Sequence, residues 1–145
     1  MIYEDRQASD LEKRAQKFIG KTYTLKDVDT SILQTFPYEY PRREIEIDLS
    51  TEEFTCICPY SGLPDFARVS IRYVPRKVCI ELKALKYYLY SFRQVRAFNE
   101  HVINKILQDL AEAVSPKRME ITAIFTVRGG MKNTVTARYS GKPAR

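Results

Sequence analysis

Apolar and charged residues alternate along REIEIDLS, residues 43–50, so that Ile45, Ile47 and Leu49 share one side. A period of two is the mark of a strand with one buried face. FARVSIRYV, residues 66–74, repeats it through Val69, Ile71 and Tyr73. A turn at Pro75–Lys77 leads into a short strand, VCIEL, expected to extend these two into a meander. ALKYYLYSF then reads as a short aromatic helix. From Phe98 the period lengthens: Phe98, Val102, Ile103, Ile106, Leu107, Leu110, Ala113 and Val114 keep helical spacing up to Pro116. MEITAIFTV and MKNTVTARY return to strand character, joined at Arg128-Gly129-Gly130, a hairpin-like turn. The order is strand, strand, helix, helix, strand, strand, which predicts an α+β domain with helices on one face of an antiparallel sheet. Between these elements, 1–20 reads as a short polar helix (DLEKRAQKF), 21–42 with Pro37 and Pro41 as a connecting arm, and 54–65 as a loop.

Composition narrows the class without choosing a function. A chain of 145 residues is expected to form one domain, and no apolar run in it approaches membrane-spanning length. The start, MIYEDRQASD, is too polar for a secretory signal, so a cytoplasmic location is expected. The net charge of +6 suits an anionic partner such as nucleic acid, a nucleotide or a phosphorylated cofactor, and suits solvated surface lysines equally well. Three cysteines, an odd count, do not make a disulfide framework.

Several chemistries drop out. The chain has no G-x-G-x-x-G and no Walker-type loop, so neither dinucleotide fingerprint nor P-loop supports a nucleotide site. His101 is the only histidine, which argues against a Ser-His-Asp hydrolase. Cys56, Cys58, Cys79 and His101 could supply four metal ligands, but their spacing is not that of a zinc module, and no metal is expected. The segment FTCICPYSGLPDF, residues 54–66, is more informative. A cysteine in a strand is most often a small buried hydrophobe. Cys58 instead precedes a proline at the mouth of a turn, and Asp65 stands at the turn's other end. A thiol nucleophile needs a neighbour to manage its protons, and a carboxyl whose pKa is raised by burial can do so.

Four segments, in order and spacing, resemble the 7-cyano-7-deazaguanine reductases, the nitrile reductases of queuosine biosynthesis, in their short single-module form. They are FTCICPYSGLPDF, IELKALKYYLYSFR, FNEHVINKILQDL and FTVRGG. The upstream ILQTFP looks like the family's arm. The resemblance divides the single domain, 1–145, into a variable N-terminal segment, 1–30, and a family core, 31–142. Glu81-Leu82-Lys83-Ala84-Leu85-Lys86 matches the E-[SL]-K-[SA]-x-K pattern of the reducing branch. The implied fold is the tunnelling fold, in which sheets from several subunits close a barrel with active sites between subunits. A homo-oligomer of two stacked pentamers is implied, with a small deazapurine substrate, no membrane association and no direct tRNA binding.

The resemblance also assigns roles. Cys58 aligns with the nucleophile that forms a thioimide with the nitrile, and Asp65 with the proton donor. Glu100 aligns with the carboxylate that accepts the two adjacent N–H donors of the base, and Ile80, Glu81 and Leu82 with a second substrate-contact stretch, mostly backbone. Lys83, Lys86 and Arg128 are implied to hold the phosphates of NADPH. One position departs: the family commonly has His-Glu where this chain has Asn99-Glu100. At about 100° per residue, position 99 falls on the helix's apolar face and position 101 nearly opposite, so Asn99 is expected beside the site and His101 away from it. Asparagine cannot shuttle a proton near neutral pH. Two rivals remain at this level: an archaeosine-forming amidinotransferase acting on nitrile-modified tRNA, which keeps the cysteine and aspartate but lacks the lysine pattern, and a non-catalytic basic RNA- or protein-binding domain on the same fold.

Overall fold

The alternating segments form one four-stranded sheet in a computed structural model that describes residues 23–141; the polar helix expected within 1–20 lies outside the described residues. We label the elements β1 (Thr35–Pro37), β2 (Ile47–Ile57), β3 (Pro64–Val74), β4 (Val78–Ile80), α1 (Leu82–Tyr90), α2 (Asn99–Val114), β5 (Arg118–Phe125) and β6 (Thr134–Ser140), with short 3-10 turns at Leu25–Asp27, Thr30–Ile32 and Ser91–Gln94. The main sheet runs β2-β3-β5-β6, each neighbour antiparallel. The inward positions of β3 and β5 (Val69, Ile71, Tyr73, Met119, Ile121 and Ala123) are all buried. Their outward neighbours carry arginines and glutamates paired across the surface, as in Arg138–Glu120 at 2.7 Å. This is the expected pattern for an antiparallel sheet covered on one side only.

Two expectations need correction. VCIEL does not extend the β2–β3 hairpin. Its first three residues form β4, which pairs with β1 of the arm in a separate two-stranded sheet, Thr35 opposite Ile80 and Phe36 opposite Cys79. Nor is 54–65 one loop. β2 runs on to Ile57 and β3 begins at Pro64, leaving only a tight turn between them. The signal was hidden by a β-bulge. The register changes from Thr51↔Val69 to Phe54↔Ala67, one extra residue on β2, so the inward positions switch from odd to even numbers. The simple alternation that ended at Leu49 therefore resumes out of phase.

α1 starts after Glu81, whose carboxylate accepts from the backbone N–H groups of Lys83 (2.9 Å) and Ala84 (2.8 Å) and so caps it. α2 buries Val102, Ile103, Ile106, Leu107, Leu110 and Val114 against the sheet, the stripe its period predicts. It ends at Ser115, which takes a left-handed φ of 43° just before Pro116. One buried charge sits in that stripe. Asp109 accepts from the Tyr88 hydroxyl of α1 (2.6 Å) and pairs with Lys105 one turn back (2.8 Å). Burial and the adjacent carboxylate push the Tyr88 hydroxyl's pKa far up, so it stays a donor. Removing one partner of a buried polar pair strands the other. Asp109→Ala is therefore expected to destabilise the fold by about 3 kcal/mol, read as a lowered urea midpoint, whereas Glu112→Ala on the exposed side of α2 should leave the midpoint nearly unchanged.

Candidate active site

The end of β2 is held on both sides. On one side, Cys56 lies opposite Asp65 and Ile57 opposite Pro64 in the β3 ladder. On the other, the Ile57 N–H donates to the Val95 carbonyl (3.0 Å) and the Ala97 N–H donates to the Ile57 carbonyl (3.3 Å). That second ladder brings the segment entering α2 against the strand carrying the cysteines. Asn99, at the first turn of α2, consequently meets Cys56, whose Sγ lies 4.0 Å from the amide oxygen. His101 is exposed, as the helix phase predicted, and lies edge-on to the Phe98 ring.

The two cysteines of FTCICP occupy different environments. Cys56 is fully buried, and burial, with Asp65 adding to it, pushes its thiol up to about 12. Cys58 lies just beyond the strand in the turn, where its N–H donates to the Leu63 carbonyl (2.9 Å) and its carbonyl accepts from the Gly62 N–H (3.0 Å). Its thiol is held below the usual cysteine range, first by the Ser61 hydroxyl and the Ser61 N–H, with the Tyr60 N–H adding to them. Hydrogen bonds to sulfur favour the thiolate, and the thiolate is the nucleophilic form. Gly62 takes φ +69°, a left-handed conformation that favours glycine, and the Arg96 guanidinium lies against it. All three cysteines of the described chain are free thiols.

Asp65 is buried, and that burial raises its carboxyl above the usual aspartate range, while Arg128 pulls the other way. Arg128 arrives from the β5–β6 hairpin, whose tip Gly129-Gly130 has φ of 53° and 77°, the pair of positive values a type I′ turn needs. The Arg128 Nη2 stands 2.9 Å from an Asp65 oxygen and also donates to the Pro64 carbonyl. Glu100 is exposed at the first turn of α2, 3.5 Å from the side-chain amide of Asn133 on the same β5–β6 connection. The turn also touches α2 through Tyr60, whose ring meets that of Phe98 at 5.5 Å between centroids.

The structure thus gathers Cys58, Asp65, Arg128, Asn99 and Glu100 at one end of the sheet. Ile80 is buried at the end of β4, and Glu81 and Leu82 sit at the start of α1. Lys83 and Lys86 are exposed on α1, Lys86 over the Tyr87 ring at 5.3 Å, and neither makes a salt bridge among the described residues. Lys86 lines an apolar groove of about 420 Å³ between β2–β3 and α1 whose lining includes neither Cys58 nor Asp65. Three participants escaped the sequence reading. Ser61 was visible in the turn, three residues after the thiol, but Arg96 and Asn133 carry no local signal.

A family model described as QueF-like protein matches residues 64–144. A relative from Caldicellulosiruptor bescii, named NADPH-dependent 7-cyano-7-deazaguanine reductase, is 46% identical over 117 residues, covering 81% of this chain and 89% of its own. Relatives of the same name from Anaeromyxobacter sp. (strain Fw109-5) and Chloroherpeton thalassium are 49% and 48% identical, each covering 77% of this chain and 92% and 96% of their own. The chain belongs to this reductase family. A solved structure described as the archaeosine synthase QueF-Like in the apo form aligns with a TM-score of 0.59 at 23% identity, over 69% of this chain and 96% of that one, a likeness of fold. Within the family frame, the distinction between the two cysteines is testable. Because the Ser61 hydroxyl favours the Cys58 thiolate, Ser61→Ala should raise the pH at which Cys58 reacts with iodoacetamide. Cys56 should stay unmodified across the same range, with peptide mass spectrometry locating the label.

Proposed function

We propose that this protein reduces the nitrile of 7-cyano-7-deazaguanine to the aminomethyl group with NADPH, through a thioimide on Cys58. The observation that carries the reading is the pairing of a thiol lowered by hydrogen bonds with a buried carboxyl raised by desolvation, one at each end of a single turn. Addition of the Cys58 thiol across the nitrile forms one C–S bond and breaks one C–N π bond, and the proton lost by sulfur ends on nitrogen. Asp65 carries that proton. NADPH, when bound, would supply hydride; two hydrides and two further protons take the thioimide to the amine, and the C–S bond breaks on the way, returning the Cys58 thiol. Lys83 and Lys86 suit its phosphates because both are exposed, share α1 and make no salt bridge among the described residues.

Glu100 accepts the two adjacent N–H groups of the deazaguanine edge, with Asn133 steadying it. Ile80, Glu81 and Leu82 contact the base through backbone; the Glu81 side chain is already engaged in capping α1. The chain acts as a homo-oligomer, two stacked pentamers, with sites between subunits. That arrangement would pair the open edges of β2 and β6, cover exposed Leu63, Phe66, Phe98 and Met131, and let the lysines of one subunit serve a neighbour's thiol. A cytoplasmic location suits this chemistry; no described helix is long and apolar enough to cross a membrane. The archaeosine-forming alternative is not favoured: the relatives at 46–50% identity are named reductases.

The test is NADPH consumption with the free cyano base, followed by absorbance. Wild type should turn over. Cys58→Ala should lose both turnover and the covalent adduct seen by mass spectrometry, while Cys56→Ala keeps both. An adduct surviving in Cys58→Ala would move the chemistry to another thiol.

Glu100→Gln offers one acceptor and one misdirected N–H₂ to two donors. An unmatched donor costs about 1–3 kcal/mol, and the charge assistance goes as well. Nitrile binding should weaken about tenfold or more by calorimetry, with NADPH affinity little changed.

A further inference from the structure

Arg128 does not point away from the chemistry as a free cation. Its Nη2 lies 2.9 Å from the Asp65 carboxylate and also donates to the carbonyl of Pro64, the residue just before. The contact follows from the ladder. Ala67 pairs with Phe125, the Thr126 N–H donates to the Phe66 carbonyl (2.9 Å), and the Arg128–Met131 turn closes two residues later, so the hairpin tip overhangs the start of β3. Asp65 is only 8% exposed, and the groups around it are few. Cys56 faces it from β2, and the Cys58 thiol feels its charge from the turn. α2 presents Asn99 and Glu100 at this end, and Arg96 lies against Gly62 in the same turn. Arg128 is the one cation in contact with the Asp65 carboxylate among the described residues.

We propose that Arg128 is a positioning residue for Asp65: by gripping the carboxylate and the neighbouring carbonyl together, it aims the acid at the Cys58 turn. This rests on the reductase reading for its consequence and on the ion pair for its geometry. The consequence concerns thioimide formation, which needs no NADPH. That step requires one proton shared between Asp65 and Cys58, so its rate rises with pH until the more acidic of the two has titrated, and then levels. A break set by Asp65 moves with the charge beside it. A cation beside a buried carboxylate keeps its pKa down, and without it desolvation acts alone.

Adduct formation from wild type, Arg128→Gln and Arg128→Lys with the cyano base, without NADPH, should therefore be measured across pH. The acid-side break is expected to move to higher pH in Arg128→Gln and to return toward wild type in Arg128→Lys. A ¹³C-carboxyl NMR titration of Asp65 in the free protein should show the same upward movement in Arg128→Gln, and circular dichroism should confirm that the variant is folded. A residue serving only to hold cofactor phosphate would raise the KM for NADPH and leave both titrations where they were, and that result overturns the proposal. If wild type forms no adduct at any pH, the reductase reading falls, while the carboxyl titration still decides whether Arg128 governs Asp65.

Discussion

The one-residue slip between Thr51 and Phe54 governs how this molecule is put together. Before it, β2 turns its odd-numbered residues inward; after it, the even-numbered ones. Phe54 thereby enters the core against Phe92, and Cys56 comes to face Asp65. Had the alternation of Ile45, Ile47 and Leu49 continued unbroken, Cys56 would point outward with the glutamates. A side chain moved to the other face by a single inserted residue is the general consequence of a two-residue period. Here it converts the tail of an ordinary half-buried strand into one wall of a site.

The same strand end is clasped from its other side by residues 95–97, which is why α2 begins where it does. Phe98 holds the position before the helix with no side-chain oxygen to cap it. A serine or aspartate there would favour the helix by about 1 kcal/mol. The phenylalanine instead packs its ring between Tyr60 of the thiol turn and His101. Local helix stability has been given up for a contact that ties the turn to the helix carrying Asn99 and Glu100. Buried Asp109, shared by Tyr88 and Lys105, fastens that helix to α1 further along.

Within this frame the electrostatics separate two thiols only two residues apart. Cys56 has burial and a facing carboxylate against its ionisation; Cys58 has donors from Ser61 and Tyr60 in its favour. Asp65 is pulled in opposite directions by burial and by Arg128. Burial disfavours the charged carboxylate and the neighbouring cation favours it, so the two act against each other at one group.

How far the sequence reached can be judged residue by residue. The period-two and helical stripes of β3, α2, β5 and β6 were legible because each depends on burial of one face, which periodicity records directly. The choice of Cys58 over Cys56 rested on a proline, a returning aspartate and a family likeness, all local in the chain. The helix phase was enough to put Asn99 inward and His101 outward. Other features needed the third dimension. The bulge has no glycine or proline to announce it. β4 pairs with an arm more than forty residues earlier, which no alternation within VCIEL could foretell. Arg128 was read as a cation in the hairpin turn, implied to hold cofactor phosphate; that its charge meets Asp65 depends on how far the β5–β6 hairpin overhangs β3. A sequence records which residues want burial or charge nearby. Only the register of distant strands decides which buried group each charge will find.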